Sequence, residues 1–208
     1  MAQLSLVEML FFLSSLKKEI IMNQIFYDAI MENPVIAAVK DEDGVLNCMQ
    51  KDINVVFVLF GELTTISDIV DRLKSAGKIV IVHLDLIGGL AVREESVRFI
   101  KQYTKADGII STKPDMIKYA KELGLYTIFR IFVIDSKAFN AISHHAISSA
   151  DLIEILPGIM PRIIQKFSQK THVPIIAGGL ISEKEDVINA LDAGAIAISS
   201  TNQQVWNM

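Results

Sequence analysis

Five ionisable side chains stand in or at the end of short apolar runs: Lys40 after Ala37-Ala38-Val39, Asp85 after Val82-His83-Leu84, Lys113 after Ser111-Thr112, Arg130 within Ile128–Phe132, and Glu154 within Leu152–Leu156. A charge inside an apolar segment is costly unless it meets a partner or a ligand. Gathered at one place, two carboxylates and three cations could hold the hydroxyls and charge of a small polar molecule, or work as general acid and base. Two other strings suit an anion. In Ala177-Gly178-Gly179-Leu180, a pair of residues without Cβ lets the backbone come close to a ligand. In Ser199-Ser200-Thr201-Asn202, Thr201 or Asn202 is suited to cap a short helix over residues 203–206, whose free N–H groups and dipole would favour a dianion. Gly178, Gly179, Ser199, Ser200 and Thr201 are therefore candidate phosphate-binding residues. Lys40, Asp85, Lys113, Arg130 and Glu154 are candidate polar contacts to the rest of the ligand. The competing reading is a structural network in which the charges only pair with one another. His83 is as well explained by a satisfied core hydrogen bond as by a ligand.

Elements that could position these groups are legible from residue 33 onward. Eight runs rich in Val, Ile and Ala read as strands: Val35–Lys40, Val55–Gly61, Ile79–Asp85, Gly108–Thr112, Tyr126–Ile134, Leu152–Pro157, Pro174–Gly179 and Ala195–Ser200. They are near-continuous apolar segments, as parallel strands covered by helices require. Between them lie helix-period stretches with stop signals: Ser67–Lys74 after Thr64-Thr65 and ahead of Gly77, Asp115–Leu123 after Pro114 and up to Gly124, and Glu183–Ala193 up to Gly194. Eight strand–helix units predict an α/β fold, a TIM-barrel-like (β/α)8 closed parallel barrel over residues 33–208 with an N-terminal helical extension, residues 1–32, packed on it. An open doubly wound sheet is the alternative, but no Gly-rich dinucleotide fingerprint follows the first strand. In a barrel, sites form at the carboxyl ends of the strands, and the seventh and eighth strand ends recur as a phosphate site. Period-two alternation places Val80, Val82 and Leu84 toward the helices and His83 and Asp85 inward, and it sends Arg130 and Glu154 inward as well. Lys40, Asp85, Arg130 and Glu154 are thus expected to converge.

Composition bounds the function. The chain has 208 residues, 51% of them hydrophobic, and a formal net charge of −4, which excludes a protein that grips nucleic acid with its whole surface. One cysteine, Cys48, allows no internal disulfide, so a cytoplasmic location is expected. The apolar run Leu4–Leu16 lacks a preceding basic region and a cleavage site and is too short for a bilayer, so no membrane role is expected. It reads as the start of an amphipathic helix. The alternative is a natural start at Met22, with residues 1–21 an upstream extension.

The strings Val82-His83-Leu84-Asp85-Leu86-Ile87, Gly108-Ile109-Ile110-Ser111-Thr112-Lys113, Glu154 to Pro161, Ile175 to Ile181, and Ser200-Thr201-Asn202 with Trp206 resemble the glycerol-uptake operon antiterminator family. The resemblance spans about residues 24–207, with Gly88-Gly89 a departure in one loop. It implies a glycerol 3-phosphate-responsive regulator, not an enzyme, that acts on the leader mRNA of glycerol-utilisation genes and lets transcription pass a terminator. Glycerol 3-phosphate is then the effector, with no cofactor, no metal and no catalytic residue, and leader mRNA is the partner. Assembly into a homo-oligomer is compatible with this reading.

The basic residues Arg162, Lys166 and Lys170, spaced by four after Pro161, are the best sequence signal for an RNA contact. Arg98, Lys101 and Lys105 form a second run, and no RNA-recognition, KH or OB signature is present. The rival reading is a sugar-phosphate epimerase or aldolase, in which Lys113 would form a Schiff base and Asp85 with Glu154 would serve as base and acid. His144-His145 falls in an expected surface helix and suggests no metal site.

Overall fold

A computed structural model describes residues 24–141 and 149–208 of the chain. Eight parallel strands close into a barrel in sequence order, β1 Val35–Val39, β2 Val55–Val58, β3 Ile79–His83, β4 Gly108–Ser111, β5 Tyr126–Phe132, β6 Leu152–Leu156, β7 Ile175–Gly178 and β8 Ala197–Ser200. The predicted closed (β/α)8 architecture is therefore the observed one. After the first helix, α1 over residues 24–32, the outer ring runs α2 Glu42–Met49, α3 Ile66–Ser75, α4 Glu94–Tyr103, α5 Pro114–Glu122, α6 Ser136–Ala141, α7 Pro161–Ser168 and α8 Lys184–Asp192.

The predicted helix starts and stops hold, through partly different caps. Pro114 opens α5, where its missing N–H costs nothing. Glu183 and Asp186 form a reciprocal capping box on α8. Thr65 stands at the N-cap of α3 but makes no cap bond, because its Oγ1 is engaged with the backbone of Glu62.

The strands are buried on both faces, and the two faces do different work. Outward residues such as Val56, Val80, Val82, Ile109, Ile153, Ile155 and Ile198 pack beneath the helices. Inward residues Ile36, Phe57, Ile81, Ile110, Ile128, Leu152, Ile176 and Ala197 fill the barrel interior, which is a packed core and not a pore. Helix α1 closes the amino-terminal end of that interior. Phe26 and Ile30 are wholly buried in it, Phe26 stacks on Tyr126 with ring centroids 4.4 Å apart, and the Tyr27 hydroxyl donates to the Asp151 carbonyl. Residues 1–23 lie outside the described residues, and so does His144-His145.

Two carboxylates fix the register at this closed end. Asp107 and Asp151, just ahead of β4 and β6, accept from the N–H groups of Val80 and Thr127 and pair with Lys74 and Lys121. With apolar side chains filling the lower layers, the inward polar groups His83, Arg130, Glu154 and Ser199 are left to the upper, carboxyl-terminal end. No helix among the described residues is long and apolar enough to cross a membrane.

Candidate functional site

Glu154 is the centre of the carboxyl-terminal end. It is fully buried on β6, beside Arg130 of β5 in strand register. The Arg130 Nε donates to Glu154 Oε2 at 2.5 Å, and the Ser199 hydroxyl from β8 donates to Oε1 at 2.5 Å. Charge-assisted bonds this short are the strong kind, and together they satisfy a carboxylate that burial alone would expel. Arg130 uses only Nε toward Glu154, and among the described residues no group accepts from the terminal nitrogens of its fork.

Around this pair lies a cavity of about 460 Å³. Arg130, Glu154, Ser199, Ser200, Thr201 and Gly179 line it, with apolar wall from Ala38, Leu59 and Leu156. The fold thus brings together four of the five candidate phosphate residues with two of the five candidate polar contacts. Gly178 lies directly behind: a Cβ there would stand 2.5 Å from Glu154 Oε1 and 2.7 Å from Ser199 Oγ. Gly179 has φ +77°, and the next residue, Leu180, has φ 64° although it carries a side chain. A non-glycine residue in the left-handed region is strained, and such strain collects at ligand sites. Leu180 is also 71% exposed at the cavity edge.

The geometry alters how a phosphate would be held. The expected helix after β8 is only the 3-10 turn Val205–Asn207, too short to offer a dipole of consequence. Asn202 does not cap that turn, whose N-cap is Gln204; its side-chain oxygen accepts from the Gln204 N–H just ahead of it. The Ser199 hydroxyl hydrogen is committed to Glu154 and the Ser200 hydroxyl hydrogen to the Ile181 carbonyl. What remains for an anion is backbone: among the described residues no group accepts from the N–H of Gly179, Leu180 or Thr201. These N–H groups, the Thr201 hydroxyl and the free end of Arg130 are the donors an anion could use.

Three candidate polar contacts are not brought to the cavity wall. β1 stops at Val39, so Lys40 falls beyond the alternation and is exposed at the rim. Lys113 is likewise exposed, at the N-cap of α5. β3 ends at His83, and Leu84–Leu86 turns as a 3-10 helix, which rotates Asp85 away from the inward row. Its carboxylate accepts from the Ser111 hydroxyl (2.6 Å), the Thr112 N–H (2.8 Å) and the Thr112 hydroxyl (2.7 Å), clamping the ends of β3 and β4. Burial raises the Asp85 pKa, but those three bonds and the adjacent His83 outweigh it and hold the carboxyl below its ordinary value. The departure at Gly88-Gly89 belongs to the neighbouring loop, where Gly88 bridges to Glu62 and Gly89 turns with φ +80°.

Sequence reasoning missed the apolar wall, although Leu59 continues the inward parity of Phe57. It also left His83 undecided. The imidazole is buried, yet its Nδ1 has no hydrogen-bond partner among the described residues. Burial first, then the Arg130 charge, lowers its pKa to about 4, while Asp85 and its own backbone offset only part of this.

Gly178→Ala is expected to push Glu154 and Ser199 apart and weaken phosphate-dependent stabilisation by roughly tenfold or more in affinity, since the pinned carboxylate has no room to yield. Titration calorimetry against the wild-type chain checks it, and equal affinities would remove Gly178 from the site.

Comparison with known proteins agrees with this architecture. Residues 35–206 match the family described as glycerol-3-phosphate responsive antiterminator. The Escherichia coli (strain K12) protein YgcP is 43% identical over 180 residues, covering 86% of this chain and 94% of that protein. A glycerol uptake operon antiterminator regulatory protein of Listeria monocytogenes superposes with a TM-score of 0.79 at 33% identity, covering 84% of this chain and 95% of the other. A glycerol uptake operon antiterminator-related protein of Thermotoga maritima gives 0.74 at 32% identity, with 84% and 98% covered. An orotidine 5'-phosphate decarboxylase of Pyrococcus horikoshii, at 20% identity and a TM-score of 0.63, shares the fold alone. With matching sequence over nearly the whole barrel, the chain belongs to the glycerol-3-phosphate responsive antiterminator family.

Proposed function

We propose that this chain is a cytoplasmic sensor that binds glycerol 3-phosphate in the carboxyl-terminal cavity and, so loaded, binds the leader mRNA of glycerol-utilisation genes to carry transcription past a terminator. The observation that carries the ligand is this set of donors. Unengaged N–H groups of Gly179, Leu180 and Thr201 stand beside the free guanidinium fork of Arg130, with Glu154 at hand for a hydroxyl. A phosphate would sit against the loops after β7 and β8, and the short polyol would reach toward Arg130 and Glu154.

The regulator reading is favoured over an aldolase because Lys113, the one candidate Schiff-base amine, is exposed and does not line the cavity. Thermal unfolding tests the ligand. Glycerol 3-phosphate at a hundredfold over its Kd should add about 2.7 kcal/mol of stability, with glycerol alone giving nothing comparable. A chain stabilised by none of glycerol 3-phosphate, glycerol and inorganic phosphate would sink the reading.

For RNA, α7 supports the contact best. Arg162 and Lys166 are exposed on it and form no ion pair among the described residues. Lys170 lies beyond the helix end at Ser168, not on its continued face, with Nζ 4.4 Å from the Phe139 ring centroid. In the second basic run each residue is occupied: Arg98 by the Tyr119 hydroxyl, Lys101 by the Gly124 carbonyl and Lys105 by Asp71. The helix α7 starts close to the ligand loop, because Gly158 N–H donates to the Gly179 carbonyl at 3.0 Å. A Cβ on Gly158 would come within 2.8 Å of Gly178 N, so the two loops touch by backbone. Movement of the β7 loop on binding phosphate would therefore reach α7 directly. Reversing Arg162 and Lys166 to Glu should weaken leader-RNA binding and flatten its salt dependence by about two charges. An unchanged salt slope in filter-binding or fluorescence titrations would exclude this helix as the contact.

A further inference from the structure

We propose that the groove between α6 and α7 seats one unstacked base of the leader RNA, a base that presents an exocyclic amino group. The inference rests on the reading of α7 as the RNA contact and adds to it the place where a base, and not the phosphate backbone, is held. Three observations carry it.

The groove is a second cavity of about 460 Å³, and none of the residues that line it lines the ligand cavity. Val133, Phe139, Met160 and Ile163 give it apolar walls, and Phe139 is held edge-on by Phe167 with ring centroids 4.6 Å apart, so a flat ring meets a preset surface. Ile134, 83% exposed, carries the apolar lining out to the surface. The polar groups in the lining suit the edge of a base. Asp135 Oδ1 accepts from the Ala138 N–H, while among the described residues no group donates to Oδ2. That oxygen can accept from the amino group of adenine, cytosine or guanine, whereas uracil flanks its one N–H with carbonyls that a carboxylate repels. Finally, Lys166 lines the same groove and Arg162 stands one turn before it on α7, both exposed and without an ion pair among the described residues.

A nucleotide suits this combination better than the apolar side chain of a protein partner. An apolar anchor would leave Asp135 and Lys166 unmatched. A nucleotide answers the apolar walls with its ring, the carboxylate with its amino group and the cations with its phosphates. The groove also adjoins the ligand loop: Met160 follows closely on Gly158, whose N–H donates to the Gly179 carbonyl.

The test uses the full chain with glycerol 3-phosphate and the leader RNA, intact or with a single abasic site placed in turn at each unpaired position. With the wild type, one abasic site at an adenine, cytosine or guanine should weaken binding by roughly tenfold or more, as loss of a stacked base does, and uracil there should restore only part of it. Ser136→Trp fills the groove from an exposed position. It should weaken binding of the intact RNA by a similar factor, abolish that abasic penalty, and leave the salt slope unchanged because no charge is lost. Unchanged affinity in Ser136→Trp, or an abasic penalty that survives in it, overturns the assignment and leaves the α7 contact standing. A wild type indifferent to every abasic site overturns it too. A wild type that binds no leader RNA overturns the RNA reading and this assignment with it. A Ser136→Trp chain that binds RNA as before yet fails to carry transcription past the terminator gives the groove to a protein partner and overturns the proposal. Should Ser136→Trp not fold, 2-aminopurine at the sensitive position decides. Its fluorescence should change on binding the wild-type chain, and a change no larger than at neighbouring unpaired positions overturns the proposal.

Discussion

Arg130→Met is expected to destabilise the chain by about 3–5 kcal/mol, lowering the midpoint of thermal unfolding by on the order of 10 °C. The reason lies in what the substitution leaves behind. Glu154 is fully buried and among the described residues its Oε2 accepts from Arg130 alone, so removing the guanidinium leaves a buried carboxylate with only the Ser199 bond. A surface ion pair such as Arg72–Asp68, whose carboxylate side chain is 76% exposed, would by contrast contribute little when broken. The paired substitution Arg130→Met with Glu154→Leu separates stability from function. It removes both charges at once, and most of the lost stability should return, because buried ion pairs are often matched by apolar groups of similar volume. Phosphate-dependent stabilisation should not return, since the cavity has lost the one cation that lines it among the described residues. A double variant that still responds to glycerol 3-phosphate would show the pair to be a structural network, the competing reading of these charges.

The second large effect is on pH. The pKa of His83 stands near 4 against an ordinary 6.5, so between these values the unfolded chain binds a proton that the folded chain does not. Stability therefore rises with pH across that window. The contribution is complete above about pH 6.5 and is lost as the pH falls toward 4, about 3 kcal/mol in all and about 2 kcal/mol of it by pH 5. The groups that set the window are burial, the Arg130 cation, which disfavours a second positive charge, and the Asp85 carboxylate, which offsets part of that. Asp85 itself, with a pKa below its ordinary 3.8, adds its own acid sensitivity under that value and not within the window. Denaturant midpoints measured from pH 7 to pH 4.5 check this. The decline should be clearly shallower in His83→Leu than in the wild type, and parallel profiles would mean that the imidazole titrates normally in the fold.

The sequence by itself determined the barrel. Short β-branched runs buried on both faces admit only parallel strands covered by helices, and glycines such as Gly77, Gly124 and Gly194, at φ +77°, +66° and +102°, end helices wherever they fall in the chain. These are local properties, carried by each segment alone. Alternation likewise placed Arg130 and Glu154 on the inward face, because within a strand the side-chain period is two and nothing distant can change it. What alternation could not give was where a strand stops. β3 ends one residue before Leu84 and β1 at Val39, so Asp85 and Lys40 leave the inward row through turns set by neighbouring loops. Only the tertiary structure decided which partners the polar groups chose. Ser199 meets Glu154 across 45 positions of sequence, and Asp85 meets Ser111 and Thr112 across 26 and 27. Those pairings decide which charges are spent on the fold and which donors are left for a ligand. They depend on the closure of the barrel, and the residues on one strand hold no trace of it.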